Sequence, residues 1–293
     1  MKFEFKSGFV RAEGHRLFYE ELGNGERGSV LCLHGGPGGT HHLMRPVADL
    51  AQFGYRVVLY DQFGCGLSQR PRSYRGLTIE GLADEAEAVR RELDLGRCHL
   101  LGTSFGGALA LQTVLRHPRG FRSVIIGSGY ASVDQLSDEK IRLVSRLPKV
   151  QRDAIEACEY RGRARGGRYQ QALAEFRRLH VSDLSVTPID LVLSSRNFNP
   201  AVWRALVGRH DLTVRATGTM ARWDIRDQLH RIHLPTLITV GRRDFITPTC
   251  ARAVQRGIRG SRLIVFERRG HDYLFSERDR FVSSVREFLA RVR

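Results

Sequence analysis

The sequence predicts an α/β protein with a mostly parallel, doubly wound sheet and an inserted helical segment. Short, continuously apolar runs recur along the chain, which is typical of strands that are covered on both faces of a parallel sheet. Helical segments and glycine-rich turns separate these runs, as they do in a doubly wound fold. The predicted strands comprise residues 30–33, 56–60, 98–102, 123–127, 234–241 and 261–266.

Further segments carry local signals of secondary structure. Residues 8–22 alternate apolar and polar side chains around a Glu-Gly pair, which predicts a β-hairpin. Residues 78–95 place apolar side chains on one helical stripe, with Thr78 suited to the N-cap and Gly96 suited to the end. A second helix is predicted over residues 106–116, after a turn of small residues.

The strand pattern is interrupted in the middle of the chain. Helical, polar and arginine-rich segments replace it from residue 130 to residue 223, and strands return afterwards. A length of 293 residues suits one catalytic unit with an inserted subdomain. We therefore expect residues 1–129 and 224–293 to form the core and residues 130–223 to form a helical cap.

The formal net charge of +16 raises the question of nucleic-acid binding, because clustered Lys and Arg side chains neutralise phosphates. Only four of the 47 basic residues are lysines, and the arginines are spread along the whole chain. The densest patch, residues 161–168, lacks the interleaved aromatic side chains of a stacking platform. This distribution favours a solvated loop and a general arginine bias, with no nucleic-acid partner.

Cysteine usage and hydropathy indicate the compartment. The five cysteines are scattered and form no C-x-x-C pair, which fits neither a disulfide framework nor a zinc site. No apolar run approaches the roughly 18 residues of a membrane span. The first six residues alternate charged and aromatic side chains instead of forming the apolar core of a signal peptide. We expect a cytoplasmic protein that does not contact a membrane.

The strongest signal for chemistry is Gly102-Thr-Ser-Phe-Gly106, a G-x-S-x-G sequence between a predicted strand and a predicted helix. A nucleophilic serine needs such a tight turn so that its hydroxyl projects above the sheet, and glycines leave room for the strand and the helix to approach. The alternative is a turn serine that merely caps a helix. The context favours Ser104 as a nucleophile.

A serine hydroxyl is a weak nucleophile, so a base must take its proton and an acid must orient that base. In enzymes with this strand-turn-helix arrangement, the chain order is serine, acid, histidine. Asp244 follows the predicted strand 234–241, and His271 follows the predicted strand 261–266. Both residues therefore lie at carboxyl ends of strands, which predicts a triad of Ser104, Asp244 and His271.

Other candidates for these roles exist. Asp61 precedes the serine along the chain, Asp224 precedes a strand instead of following one, and Asp272 is adjacent to His271. Topology therefore favours Asp244 as the acid. Among the histidines, His34 is the other one that follows a predicted strand.

The glycine-rich segment that begins at His34 is the third element of the predicted site. Acyl transfer passes through an oxyanion that needs two preorganised N–H donors. We expect these donors to be the backbone N–H groups of Gly36 and of Phe105, the residue after the nucleophile. The alternative is a plain Gly-Pro turn.

Three motifs carry a resemblance to a known family: His34-Gly-Gly-Pro-Gly38, Asp61-Gln-Phe-Gly-Cys-Gly66 and Gly102-Thr-Ser-Phe-Gly-Gly107. Together they resemble the proline iminopeptidases, and within that family they look most similar to the tricorn-interacting aminopeptidase. The resemblance spans residues 30–271 and is looser in the predicted cap. It implies the α/β-hydrolase fold, removal of an N-terminal residue from short peptides, no metal or organic cofactor, and the same triad and oxyanion donors.

Substrate recognition is where the sequence departs from that family. In the family, a glutamate directly after the catalytic aspartate and a second one from the cap hold the free amino group of the substrate; here Phe245 occupies the first position. The cap position corresponds to Asp211. Because a buried ammonium group needs paired charges, these two residues put recognition of a free amino terminus in question.

Three functional hypotheses follow. The first is a serine hydrolase that cleaves an amide bond in a small peptide or peptide-like substrate through an acyl-enzyme. The second is an esterase, amidase or lactonase that acts on a specialised small molecule with the same triad. The third is a binding protein that keeps the scaffold without turnover, because a fold alone does not determine function. The sequence does not indicate an oligomeric state.

Overall fold

The computed structural model describes residues 5–159, 166–182, 184–209, 212 and 215–292. In this part of the chain, eight strands form one sheet in the order β1-β2-β4-β3-β5-β6-β7-β8. Strand β2 is antiparallel to both β1 and β4, and all the other neighbours are parallel. The strands are β1 (Phe5–Ala12), β2 (His15–Leu22), β3 (Ser29–Leu33), β4 (Arg56–Tyr60), β5 (Cys98–Thr103), β6 (Phe121–Gly127), β7 (Thr236–Gly241) and β8 (Arg262–Phe266).

Helices cover both faces of the sheet, so the predicted fold class is confirmed. Strands β3 and β7, each with a neighbouring strand on both sides, are buried along their whole length, as their largely apolar sequences predict. The helices among the described residues are α1 (Ile79–Glu92), α2 (Phe105–Arg116), α3 (Val133–Val144), α4 (Lys149–Glu159), α5 (Gly167–His180), α6 (Ile189–Arg196), α7 (Pro200–Leu206), α8 (Pro248–Gly257), α9 (Tyr273–Ser276) and α10 (Arg278–Leu289).

Helix α1 begins where the sequence predicts and ends earlier. The Thr78 hydroxyl accepts a hydrogen bond from the backbone N–H of Gly81 at 3.2 Å, which caps the first turn. The helix ends at Glu92 because Asp94 adopts a left-handed conformation with φ of 49°. The N–H of Leu95 then donates back to the carbonyl of Arg90 at 3.0 Å, which closes the end as a Schellman motif. The predicted end at residue 95 was therefore wrong by one turn.

Five of the described helices, α3 to α7, lie between β6 and β7. Part of this segment has an apolar cluster of its own, separate from the clusters that pack on the sheet. Its buried members are Leu143, Val144, Leu147, Ile155, Cys158, Tyr169, Ala172, Leu173, Phe176 and Leu212. The limits of the cap at residues 130 and 223 stay a prediction, and both of these residues pack into the main core, with their rings in edge contact at 5.9 Å.

All five cysteines are buried, as expected of small apolar side chains. Within the described residues, no helix combines the length and the apolar character that crossing a membrane would require.

Candidate active site

Ser104 lies on the sharp turn between β5 and α2. Its backbone has φ of 60° and ψ of −125°, and its N–H donates to the carbonyl of Gly127 at 2.8 Å. A Cβ at Gly102 would collide with the carbonyl of Gly106, and a Cβ at Gly106 would collide with the carbonyl of Leu33. The two motif glycines are therefore required for the close packing of β5, α2 and β3 that holds this turn.

Asp244 and His271 are paired beyond the carboxyl ends of β7 and β8. The imidazole Nδ1 lies 2.9 Å from Oδ1 and 3.0 Å from Oδ2 of the carboxylate. Asp244 is 1% exposed, and its carboxylate also accepts hydrogen bonds from the Ser128 hydroxyl at 2.5 Å and from the Ile246 N–H at 2.7 Å. With Nδ1–H donating to Asp244, the other ring nitrogen, Nε2, is free to accept a proton.

Two opposing effects act on the pKa of His271. Burial lowers it, whereas the negative charge of Asp244 and the hydrogen bond to it raise it, and the pKa ends above its ordinary value. The positive charge of Lys140 acts in the opposite direction to Asp244. Stabilisation of the imidazolium by a fixed carboxylate is what a general base requires when it takes a proton from serine.

Ser104, His271, Gly36 and Phe245 line one cavity of about 250 Å³. Its other lining residues are Gly35, Leu43, Thr103, Ser128, Trp203, Asp272, Tyr273, Leu274 and Phe275. The ring of Phe245 packs against the ring of His271 with 4.4 Å between centroids. The side chain of Phe105 is buried at the first position of α2. Asp211 lies outside the described residues.

The loop after β3 lies directly against Ser104. A Cβ at Gly35 would lie 2.9 Å from the Cβ of Ser104, so only glycine fits this approach. His34 braces the loop: its Nδ1 lies 2.8 Å from the carbonyl of Gly35, and its Nε2 lies 3.1 Å from the backbone nitrogen of Gln62. Burial lowers the pKa of His34, which keeps the ring neutral, with Nδ1–H donating and Nε2 accepting. His34 therefore does not line the cavity that holds Ser104. It positions Gly35 and Gly36, which do line it.

The rival carboxylates have other partners. Asp61 accepts hydrogen bonds from the N–H and the ring Nδ1 of His41 at 2.7 and 2.9 Å and from the N–H of Leu67 at 2.8 Å. Asp224 is paired with the guanidinium of Arg226 at 2.5 Å. Asp272 lines the cavity but directly follows His271 along the chain, and its backbone N–H donates to the carbonyl of Val181 at 2.8 Å.

Sequence reasoning missed Ser128 and the buried charge cluster around Asp61. Ser128 follows β6 directly, so its place at the carboxyl edge of the sheet was a usable signal. His41 connects Asp61 to Glu20 on β2, whose carboxylate lies 3.5 Å from the ring Nε2 and is paired with Arg45 at 2.7 Å. No local sequence pattern predicts this cluster, because its members come from three distant segments of the chain.

Comparison with known proteins agrees with the fold. A family model described as the alpha/beta hydrolase fold matches residues 28–277. A proline iminopeptidase of Saccharolobus solfataricus is 33% identical over 98% of this chain and 93% of the relative. A proline iminopeptidase of Thermoplasma volcanium is also 33% identical, over 97% of this chain and 96% of the relative.

Solved structures show the same likeness. The crystal structure of proline iminopeptidase from Mycobacterium smegmatis has a TM-score of 0.90 at 30% identity, and 97% of this chain and 98% of that chain are covered. The crystal structure of VinJ has a TM-score of 0.92 at 26% identity, with 98% and 99% covered.

The fold and the matched family model define an α/β hydrolase. Within that class, the chain belongs to the proline iminopeptidase family. Both the predicted resemblance and the prediction of a serine hydrolase of the peptidase type are confirmed.

Proposed function

We propose that this enzyme hydrolyses an amide bond of a small peptide or peptide-like substrate through an acyl-enzyme. Ser104 is the nucleophile, His271 the general base and Asp244 the acid that orients it. The observation that carries the proposal is the Asp244–His271 pair, in which Asp244 is buried and His271 lines the same cavity as Ser104. The proline iminopeptidase relatives support peptide hydrolysis as the reaction class.

The proposed reaction has two halves. Ser104 Oγ attacks the carbonyl carbon while its proton passes to Nε2 of His271, and the backbone N–H groups of Gly36 and Phe105 donate to the resulting oxyanion. The C–N bond then breaks, and His271 returns the proton to the leaving amine. Water attacks the Ser104 ester in the same way and releases the acid, which restores the free serine.

The cavity limits the acyl group that can be accommodated. A volume of about 250 Å³ suits one residue-sized acyl group. Much of its lining is apolar or aromatic, including Leu43, Trp203, Phe245 and Phe275. Such a surface contributes by excluding water from an apolar side chain, so we expect compact apolar acyl groups, with proline among them.

A second candidate is cleavage of an ester or lactone by the same three residues. Phe245 supports it, because an aromatic ring beside His271 offers no negative charge for a substrate ammonium group. The chemistry would be unchanged except that an alcohol leaves instead of an amine.

The decisive experiment compares wild type and Ser104→Ala on a panel of aminoacyl anilides, including proline, and on an aryl ester. Release of aniline that depends on Ser104 supports an aminopeptidase, and cleavage of the ester alone supports the second candidate. A fluorophosphonate probe serves as a separate test of Ser104. If the folded wild type neither turns over any substrate nor reacts with the probe, the protein is a non-hydrolytic binding protein and the proposal fails.

A further inference from the structure

A second cavity, of about 280 Å³, adjoins Asp244 and the first turn of α8, and it shares no lining residue with the cavity that holds Ser104. We propose that this cavity binds a phosphate group, either as the free ion or as a phosphate monoester. Its lining residues are Arg142, Leu143, Arg146, His180, Arg242, Arg243, Asp244, Thr247, Pro248, Thr249 and Arg252.

The charge of this cavity is the first reason. Two of its arginines are neutralised by carboxylates: Arg142 pairs with Glu139 and Arg242 pairs with Glu267, each at 2.6 Å. Arg146 and Arg252 are exposed, and within the described part of the chain neither guanidinium group has a hydrogen bond or an ion pair. The cavity therefore presents two guanidinium groups that are not neutralised by the residues described around them.

The shared location of these charges is the second reason. Burial and the positive charges of Arg142 and Arg146 lower the pKa of His180, whereas its hydrogen bond to the Arg243 carbonyl and the negative charge of Asp244 raise it, and the pKa ends below its ordinary value. A contact between ring Nδ1 and the carbonyl of Arg243, at 2.9 Å, fixes this ring in the wall. Arg146, which follows α3, and Arg252 on α8 line the same cavity from two different elements.

These features select the chemistry of the ligand. Guanidinium groups bind oxyanions through paired N–H donors, which favours phosphate or carboxylate over a spherical anion such as chloride. Two guanidinium charges match a phosphate monoester, which carries close to two negative charges near pH 7, better than a phosphodiester or a carboxylate, which carry one. The N-terminal end of α8, capped by Thr247, adds a partial positive charge on the same side.

The test is calorimetric titration of inorganic phosphate into the full chain at constant ionic strength. Wild type is compared with Arg146→Ser/Arg252→Ser and with the control Arg11→Ser/Arg259→Ser, which removes the same charge at two exposed positions outside the cavity. We expect saturable one-site binding to wild type, about hundredfold weaker binding to the cavity variant, and a change of about threefold or less in the control. Thermal unfolding of each variant checks that it is folded.

Two results would overturn the proposal: no saturable binding to wild type, or an equal loss of affinity in both double variants, which would indicate only long-range attraction by the net charge. A parallel titration with phosphoserine distinguishes the two sources of the phosphate group. Tighter binding of phosphoserine supports a monoester on a larger molecule, and tighter binding of inorganic phosphate supports the free ion. Neither titration depends on the proposed hydrolysis.

Discussion

At the residue scale, the pairing of His271 with Asp244 holds the proposed general base in place. The imidazole is held by a carboxylate that is itself fixed by the Ser128 hydroxyl and the Ile246 N–H. An anchored carboxylate stabilises the charged imidazolium as the proton arrives, and it keeps Nε2 directed away from Asp244. The same contact has a measurable consequence, since it raises the pKa of His271 above its ordinary value.

The pH dependence of kcat/KM follows from this shift. His271 must be neutral to accept the serine proton, so activity falls as the pH drops through its raised pKa. We expect Asp244→Asn to move this acidic limb to lower pH, because the charge of Asp244, the larger of the two carboxylate effects that raise the pKa of His271, is then lost. The maximal rate should fall by about 10³ to 10⁴.

The matched control is Asp272→Asn, which removes the neighbouring carboxylate that also raises the pKa of His271. The charge of Asp272 raises the pKa of His271 less than Asp244 does, so we expect a smaller movement of the acidic limb. An acidic limb that stays in place in Asp244→Asn would show that another group controls the profile.

At the element scale, the strands, the two helices α1 and α2 and the turn after β5 were predictable from the sequence. Each depends on local apolar patterning or on glycines at fixed positions, as at Gly102 and Gly106. The carboxyl-edge location of Asp244 and His271 followed from the same pattern, because parallel strands share one edge. The early end of α1 was not predictable in this way, since Asp94 takes the left-handed position that glycine usually occupies.

The contacts between elements could not be predicted either. His41 begins a 3₁₀ helix (His41–Phe53), Asp61 directly follows β4, and Glu20 lies on β2. Only the folded chain brings these three residues together. Asp61 was a rival for the role of the acid on sequence grounds. Only the folded structure shows that its carboxylate instead accepts hydrogen bonds from His41 and Leu67.

The cluster around His41 predicts how stability changes with pH. Burial lowers the pKa of His41, but its contacts with Asp61 and Glu20 outweigh burial and raise the pKa to about 9. Because the folded-state pKa is raised above the ordinary value of 6.5, this contribution to stability is complete below pH 6.5 and is lost as the pH rises toward 9. We expect the free energy of unfolding of wild type to fall by about 3 kcal/mol across this window.

Urea unfolding of wild type and His41→Gln at pH 6.5 and at pH 9 measures this change. His41→Gln should be less stable than wild type at pH 6.5. Its free energy of unfolding should fall much less than that of wild type between pH 6.5 and pH 9. His117→Gln is the control, because His117 is also paired with a carboxylate, Asp84, but at a half-buried position. A decline of equal size in wild type and His41→Gln would contradict the assignment to this cluster.

At the scale of the whole molecule, the segment between β6 and β7 contributes directly to the positioning of the candidate base. The last residue of α5, His180, accepts a hydrogen bond through its carbonyl from the N–H of His271 at 3.1 Å. The next residue, Val181, accepts one from the N–H of Asp272 at 2.8 Å. Helix α5 is fixed in turn by the apolar cluster that includes Phe176, whose ring packs on the ring of His180 at 4.9 Å between centroids.

This connection predicts that a packing defect within the insertion reduces catalysis. Phe176 is 1% exposed, and Phe176→Ala should cost about 3 to 5 kcal/mol of stability as the cluster loses a large side chain. Because the end of α5 then moves or loosens, we expect kcat/KM to fall about tenfold or more, since displacement of a catalytic group by about 1 Å can cost 10²-fold. The far-UV circular dichroism spectrum of the protein, which reports its secondary structure, should change little.

The control for this prediction is Phe121→Ala, an equal truncation at the first residue of β6, where the side chain is also fully buried in the apolar core. Both variants are assayed well below their unfolding temperatures, so that the population of unfolded chains does not affect the rates. We expect the control to lose comparable stability while keeping kcat/KM within about twofold of wild type, because Phe121 lies at the amino ends of the parallel strands, whereas His271 lies beyond their carboxyl ends. Equal kcat/KM in the two variants would mean that α5 does not position His271, and that the insertion acts on the reaction only by covering the cavity.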